Sequence, residues 1–574
     1  MSDFPTFGRT HEAVPLSDCD GPVCSDSPVP ASPAASAEVV PFPQGDRRRR
    51  DDHTSPLPMP PASLHHRLSQ GAGSDDINLA ELTDGVLDRE EQDLDPTDWA
   101  HTRAQAHLML DDVFDHLETL RNQPVWRQMP SAVRTQFRQP LPELPTELSS
   151  VHDEFCRSIL PYGPGNTHPG FMGWVQGAGT IEGVLAEMLA AGLNANVGGR
   201  DQAPLEVERQ VLGWVREWFG FPDTSSGLFV TGTSMANFMA VLVARGEVLG
   251  QNVRRRGVRA TARRLVAYAS VAVHNCVTRA MEMSGLGSDA LRGVATNANG
   301  EIDVEALRLM IAADRAAGLD PFLIVGSAGT VDIGAIDDLQ TLAAIAQSEG
   351  LWFHVDGAIG ALGVLAPSLA PRLAGIELAD SIALDFHKWG QVPYDAGYLI
   401  VRDGSAHLRT FASPAAYLRR EQRGLSAGSP WPCDFGPDLS RGFRALKTWF
   451  TFKVHGTQRI GAVIEQTCRL AQHLKDVIEA TPELELMAPV NLNIVCFRYR
   501  GPNADRLNAG IVADLQESGI AAPSTTSIGG RLAIRAAIVN HRTRVEDIDR
   551  LVSGTLALGA AATGRRSRFE GIAQ

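Results

Sequence analysis

Apolar residues in the second half of this chain fall in short unbroken runs. The runs occupy 228–230, 265–269, 322–325, 352–355, 382–384 and 398–401. Stretches with apolar residues at helical spacing, such as 235–249 and 339–349, lie between most of them. A strand that is apolar on both faces must be covered on both, and helices crossing between parallel strands provide that cover. The pattern predicts an α/β fold with a largely parallel, doubly covered sheet. Upstream, Leu110, Val113, Phe114, Leu117 and Leu120 recur on one helical face. They predict a helix that starts near Asp98 and is ended by Pro124. Pro130, Pro140, Pro142 and Pro145 mark an irregular connection, and further helices are expected over 181–192 and 205–219. After about residue 455 the chain reads as a smaller α+β unit with strands near 492–498 and 532–537, and no internal repeat is present.

The 574 residues are too many for one ordinary core. Twelve of the 35 prolines precede residue 62, among Ser, Asp and Ala. Such a segment cannot bury enough apolar surface to offset its ordering entropy, so residues 1–75 are expected to be a disordered tail. Behind it the pattern divides into an N-terminal helical segment (76–195), a large domain (196–455) and a small C-terminal domain (456–574).

Hydrophobic content of 44% and charged content of 21% are those of a globular chain in water. A net charge of −15 argues against a large nucleic-acid surface. The run Arg47-Arg48-Arg49-Arg50 is flanked by Asp46, Asp51 and Asp52. A solvated tract is its plainer reading and a partner or nucleic-acid site the alternative. No apolar stretch reaches the ~18–20 residues of a membrane helix, and the N-terminus lacks a signal-peptide pattern. The seven cysteines are dispersed without a CxxC pair. They imply reduced thiols in the cytoplasm, and no metal site is expected from their spacing.

Four positions bring chemistry to this frame. Gly232-Thr233-Ser234 follows one strand and opens the next helix, with Ser234 as the expected N-cap. Free N–H groups, a positive dipole end and two hydroxyls there suit a phosphate, although a plain capped helix has the same pattern. Asp356 ends the run 352–355 and precedes Gly357-Ala358. An acid at the end of a buried strand needs a cation, and a protonated pyridine would be one; capping the next helix is the alternative. His354 shares a strand face with Asp356, as support for it or as a structural residue. Lys388 follows the run 382–384 between His387 and Trp389. A lysine in a partly dry site can be neutral enough to react. A lysine and an aspartate at strand ends are the pair that pyridoxal 5′-phosphate needs: one for its aldehyde, the other for its ring nitrogen.

Five ordered blocks carry a resemblance: Ser270-Val271-Ala272-Val273-His274, Gly329-Thr330-Val331, His354-Val355-Asp356-Gly357-Ala358, Asp385-Phe386-His387-Lys388-Trp389 and, upstream, His168-Pro169-Gly170-Phe171. Over about residues 95–555 the chain resembles the group II pyridoxal-phosphate-dependent amino-acid decarboxylases, of fold type I. This family includes the aromatic-L-amino-acid, histidine and glutamate decarboxylases. The resemblance implies a seven-stranded central sheet and an obligate homodimer whose N-terminal helices wrap the partner and whose active site lies at the interface. It makes Lys388 the Schiff-base lysine and Asp356 the partner of the pyridine nitrogen. His274 and Ala358 would take the two ring faces, with Thr330 near the cofactor and Thr233, Ser234, Asp385 and His387 around the phosphate. The family usually has Asn at the position of Asp385, and an added carboxylate beside a phosphate is unfavourable. Tyr417, 29 residues beyond Lys388, matches a loop tyrosine that helps protonate the carbanion left by CO₂. Aldehyde-forming relatives tend to have Phe there.

The resemblance therefore implies decarboxylation of an L-amino acid to its amine. Aminotransfer, aldehyde formation, carbon–carbon cleavage and a non-catalytic binding role are the alternatives. A nicotinamide dehydrogenase is disfavoured, because 232–234 lacks the further glycines of a dinucleotide loop. Around the substrate the sequence is mixed: Trp174 suits an aromatic side chain, whereas Gln176, Asn194 and Asn196 suit a polar one. Arg535 could meet a carboxylate or pair with local acids.

Overall fold

The strand runs become a seven-stranded sheet in the computed structural model, which describes residues 93–413 and 420–564. The expected tail 1–75 and Tyr417 lie outside these residues. In chain order the strands are β1 (Phe171–Met172), β2 (Ser226–Val230), β3 (Leu265–Ser270), β4 (Leu291–Val294), β5 (Asp320–Ser327), β6 (Trp352–Asp356), β7 (Ser381–Asp385) and β8 (Gly397–Val401). The remaining four are β9 (Leu484–Leu486), β10 (Ile494–Tyr499), β11 (Ala522–Ile528) and β12 (Arg531–Ala537). The large sheet runs β2-β8-β7-β6-β5-β3-β4. Only β8 is antiparallel to its neighbours, so β2 to β7 all end on one side. Helices cover both faces. Phe353, Val355, Ile324 and Ile382 lie in the core on one side, and Ala267, Leu323 and Val325 in the core on the other.

The six predicted runs coincide with β2, β3, β5, β6, β7 and β8. β4 was not foreseen: it is a four-residue edge strand, only partly buried, and its Arg292 and Gly293 break the apolar pattern. The second sheet, β1-β11-β12-β10-β9, has its own core under the helices Ala504–Glu517 and Val545–Thr563. Here β1, from far upstream, adds in parallel to β11, so this layer is not built from the C-terminal residues alone. The long helix Arg444–Ala480 is interrupted at Gly456, whose φ of +68° suits glycine.

Asp98 caps the helix Trp99–Glu118 through His101 N–H at 2.9 Å, as its position predicts. The helix ends at Glu118, before Pro124, because a 3₁₀ turn, Leu120–Asn122, intervenes. None of its residues is buried, and Trp99, Leu108 and Phe114 are exposed. Its apolar stripe is therefore only partly covered within the described residues of one chain. No helix among the described residues is long and apolar enough to cross a membrane.

Candidate active site

The ends of five strands open into one cleft of about 410 Å³. β2 leads to Gly232 and Thr233, β3 to His274, β5 to Thr330, β6 to Asp356 and β7 to Asp385, His387 and Lys388. This is where an open α/β sheet presents ligand-binding groups. Ser234, Ala358, Trp174 and Gln176 also line it. Two close approaches set its floor. A Cβ on Gly177 would lie 2.4 Å from the His387 carbonyl oxygen, and one on Gly397 would lie 2.3 Å from Gly232 Cα. Any side chain at either position would push the lysine turn or the phosphate-type loop out of place.

The helix Thr233–Leu249 starts two residues earlier than expected. Its N-cap is Gly232, not Ser234, and no side chain caps it. The first N–H, on Thr233, donates instead to Asp385 Oδ1 at 2.8 Å. The other oxygen of Asp385 meets Lys388 Nζ at 2.9 Å. Burial opposes both charges, but the pair and the Thr233 N–H outweigh it: the Asp385 carboxyl is held below the usual range and the Lys388 ammonium above it. The expected neutral lysine is thus corrected for the free side chain, which Asp385 keeps charged. His387 Nδ1 accepts from Ala396 N–H at 3.0 Å, so its proton sits on Nε2, 3.7 Å from Asp385 Oδ1. The ring of Tyr394, a residue that no motif or spacing marks, stacks on His387 at 4.3 Å between centroids.

Asp356 ends a directed chain of hydrogen bonds. Trp352 Nε1–H donates to Ser381 Oγ at 2.9 Å, and Ser381 Oγ–H donates to His354 Nδ1 at 2.8 Å. His354 Nε2–H then meets Asn237 Oδ1 at 2.8 Å, and Asn237 Nδ2–H reaches Asp356 Oδ2 at 3.0 Å. A carboxylate only accepts, so it fixes the orientation of the Asn237 amide and through it the histidine tautomer. Ala358 N–H holds Oδ1 at 3.2 Å. Asp356 makes no ion pair among the described residues. His354 is therefore an orienting residue, two bonds from the carboxylate. Asn237 was overlooked because an Asn inside an apolar helix carries no distinguishing spacing. His274 Nδ1 accepts from Cys276 N–H at 3.2 Å, which leaves its proton on Nε2. Burial lowers the His274 pKa, and the Cys276 thiol beside Asp356 is pushed up to about 12, chiefly by burial.

Burial also holds His354 neutral, with its pKa down to about 4. The unfolded chain binds that proton below about pH 6.5, whereas the folded chain resists it until about pH 4. Stability is therefore complete above pH 6.5 and falls as pH drops toward 4, by about 3 kcal/mol from this group. Urea midpoints across that window are expected to decline. His354→Gln, which can still span Ser381 and Asn237, is expected to flatten the slope by nearly one proton. An unchanged slope would show that His354 does not titrate there.

Asn194 and Asn196 are not brought to the cleft. Asn194 ends the helix Ile181–Leu193 in the left-handed region, and Asn196 Oδ1 ties together Gly198 N–H and Arg441 N–H. Their polarity serves a helix end and a loop. Arg535 does line the cleft, from β12. It makes no ion pair with an acid among the described residues, and its guanidinium donates to the carbonyls of Gly173, Val331 and Asp332. Burial lowers its pKa.

Comparison with known proteins agrees with this geometry. The family model described as the pyridoxal-dependent decarboxylase conserved domain matches residues 130–500. An aromatic-L-amino-acid decarboxylase of Bacillus atrophaeus is 30% identical over 467 residues, covering 79% of this chain and 95% of the relative. An L-2,4-diaminobutyrate decarboxylase of Rhizobium meliloti (strain 1021) is 31% identical over 429 residues, covering 74% and 84%. A solved structure aligns with a TM-score of 0.72 and 27% identity, over 82% of this chain and 97% of that one. It is the glutamate decarboxylase domain of a diaminobutyrate-pyruvate transaminase and L-2,4-diaminobutyrate decarboxylase from Vibrio parahaemolyticus. The chain belongs to the group II pyridoxal-phosphate-dependent amino-acid decarboxylases, and is a carboxy-lyase of fold type I whose cofactor is pyridoxal 5′-phosphate.

Proposed function

We propose that this enzyme converts an L-amino acid to its amine and CO₂, with the strand-end cleft as its active site. One observation carries the assignment of the site: a lysine amine, an unpaired buried carboxylate and a helix N-terminus line a single cleft. The cofactor's chemical groups fit this set. Thr233 Oγ1 is buried at the helix start with no hydrogen-bond partner, as a phosphate donor would be before its ligand arrives. Asp356 has the charge and the fixed orientation to hold a protonated ring nitrogen.

When bound, pyridoxal phosphate supplies an electron sink for the pair left on the α-carbon as CO₂ departs. Lys388 supplies the amine that holds the cofactor. Asp356 keeps its carboxylate aimed through Asn237 and Ala358, so that the positive charge opposite it is favoured. Thr233, Ser234 and His387 would hold the phosphate, and His274 and Ala358 would hold the ring. Asp385 pairs with Lys388 and takes one helix-start N–H, which costs the phosphate one donor. The proton returned to the α-carbon comes from the Tyr417 hydroxyl or through His274, which is protonated on Nε2. Arg535 offers a buried cation to a carboxylate in the cleft.

The same reading includes a cytoplasmic homodimer. The exposed apolar residues of Trp99–Glu118 and of the helices Leu148–Ser158 and Ile181–Leu193 support a partner copy over the 76–195 segment. It also keeps 196–455 as the cofactor domain and 456–574 as the small domain.

Two measurements test the proposal. A panel of L-amino acids scored for CO₂ and amine is expected to find a substrate, and CO₂ release without amine would overturn the product assignment. Tyr417→Phe is expected to lower amine yield by about 10²-fold or more, the scale of a lost proton donor, and to raise aldehyde. Unchanged products at an unchanged rate would remove Tyr417 from the chemistry.

A further inference from the structure

Outside the cleft, three metal-ligating side chains meet between two N-terminal helices. His152 and Cys156 stand one helical turn apart on Leu148–Ser158, and Asp112 faces them from Trp99–Glu118. His152 Nε2 lies 3.2 Å from Asp112 Oδ2 and 3.4 Å from Cys156 Sγ, and the sulfur lies 3.7 Å from Asp112 Oδ2. A tetrahedral zinc ion with ordinary bond lengths sets the corresponding ligand–ligand edges at about 3.3, 3.6 and 3.5 Å. All three observed edges agree to within about 0.2 Å.

Two further features support a ligand here. His152 is one of two buried residues on its helix, and Trp99–Glu118 buries none of its own, so within one chain the polar cluster is a main contact between the two helices. His152 Nδ1 also has a fixed partner, the side-chain amide of Gln105 at 3.1 Å. Rotating that amide by half a turn presents its oxygen to Nδ1–H, and Nε2 is then free to ligate.

We propose that Asp112, His152 and Cys156 form a three-ligand zinc site that clips the two N-terminal helices together. A thiolate, an imidazole and a carboxylate are the mixed donors zinc takes, and half-exposed Asp112 leaves a fourth position for water. Without metal the Cys156 proton occupies the site, with Sγ–H donating toward Asp112. Zinc binding forms three bonds to the protein and releases the thiol proton to solvent, so binding strengthens as pH rises.

The test uses the full chain with its cofactor, stripped by a chelator and titrated with Zn²⁺ against a chromophoric competitor. Wild type is expected to take up one zinc per chain and to release about one proton. Cys156→Ser, a near-isosteric change on a partly exposed residue, is expected to weaken binding by about 100-fold, and Gln105→Leu by about 10-fold. Hydrogen exchange in both helices is expected to slow with zinc in wild type and to stay unchanged in Cys156→Ser. No stoichiometric uptake by wild type, or uptake undiminished in Cys156→Ser, would overturn the site and leave three side chains joined by hydrogen bonds only.

Discussion

Lys388→Ala is expected to abolish the long-wavelength absorbance of the bound cofactor and to cut CO₂ release by about 10³-fold or more. That is the scale of losing a group that bonds to or exchanges protons with the reacting system. The substitution also removes the cation paired with buried Asp385. Leaving a charge without its partner destabilises a protein, so lost activity alone would not separate chemistry from folding. Lys388→Arg separates them. Its guanidinium keeps a cation near Asp385, but it stays protonated and cannot hold the cofactor's aldehyde. Both variants are expected to be colourless and inactive, with Lys388→Arg the more stable to urea. A coloured, active Lys388→Arg would falsify the role of this residue.

Asp356→Asn is expected to keep the cofactor and lose the rate, by about 10²–10³-fold, the range for removing one preorganised electrostatic group. The amide has the carboxylate's shape, and its single oxygen keeps one of the two bonds, to Asn237 or to Ala358, so the cleft should persist. What it lacks is the negative charge that holds a proton on the ring nitrogen. The effect is expected in kcat more than in KM, since substrate binding does not use this group. Asn237→Leu tests the path to it. That change strands Asp356 Oδ2 and His354 Nε2 without their partner, and is expected to lower both stability and kcat while Asp356 remains. Full activity in Asp356→Asn would show that the ring nitrogen needs no charge here.

The legible part of this protein is the part governed by local pattern. β5, β6 and β7 are buried along their lengths, and a strand buried on both faces writes an unbroken apolar run into the sequence. Those runs predict where the strands end, and therefore where Asp356 and Lys388 stand. β4 and β11 were missed for the opposite reason. An edge strand with Arg292 and a strand reading Ala-Pro-Ser-Thr-Thr-Ser-Ile gain their place from neighbours, not from their own residues. The substrate-pocket residues divide the same way. Trp174 and Gln176 reach the cleft because Gly177 packs against the lysine turn, whereas Asn194 and Asn196 are consumed by backbone bonds.

Asp385 shows how much a tertiary contact can alter a residue that the sequence had already singled out. In sequence it is an unusual carboxylate where a phosphate is expected. In the fold it joins the first N–H of the helix Thr233–Leu249, 152 positions upstream, to the ammonium that follows β7. Periodicity and strand-end chemistry, read from the sequence alone, determined the α/β class, the strand ends and the lysine–aspartate pair. Tertiary structure alone decided which charge each group carries, which tautomers His274, His354 and His387 adopt, and that Asp112 stands beside His152 and Cys156. The physical reason is range: propensity and burial act within a few residues, whereas charge and proton positions are set by whatever the fold brings within about 3 Å.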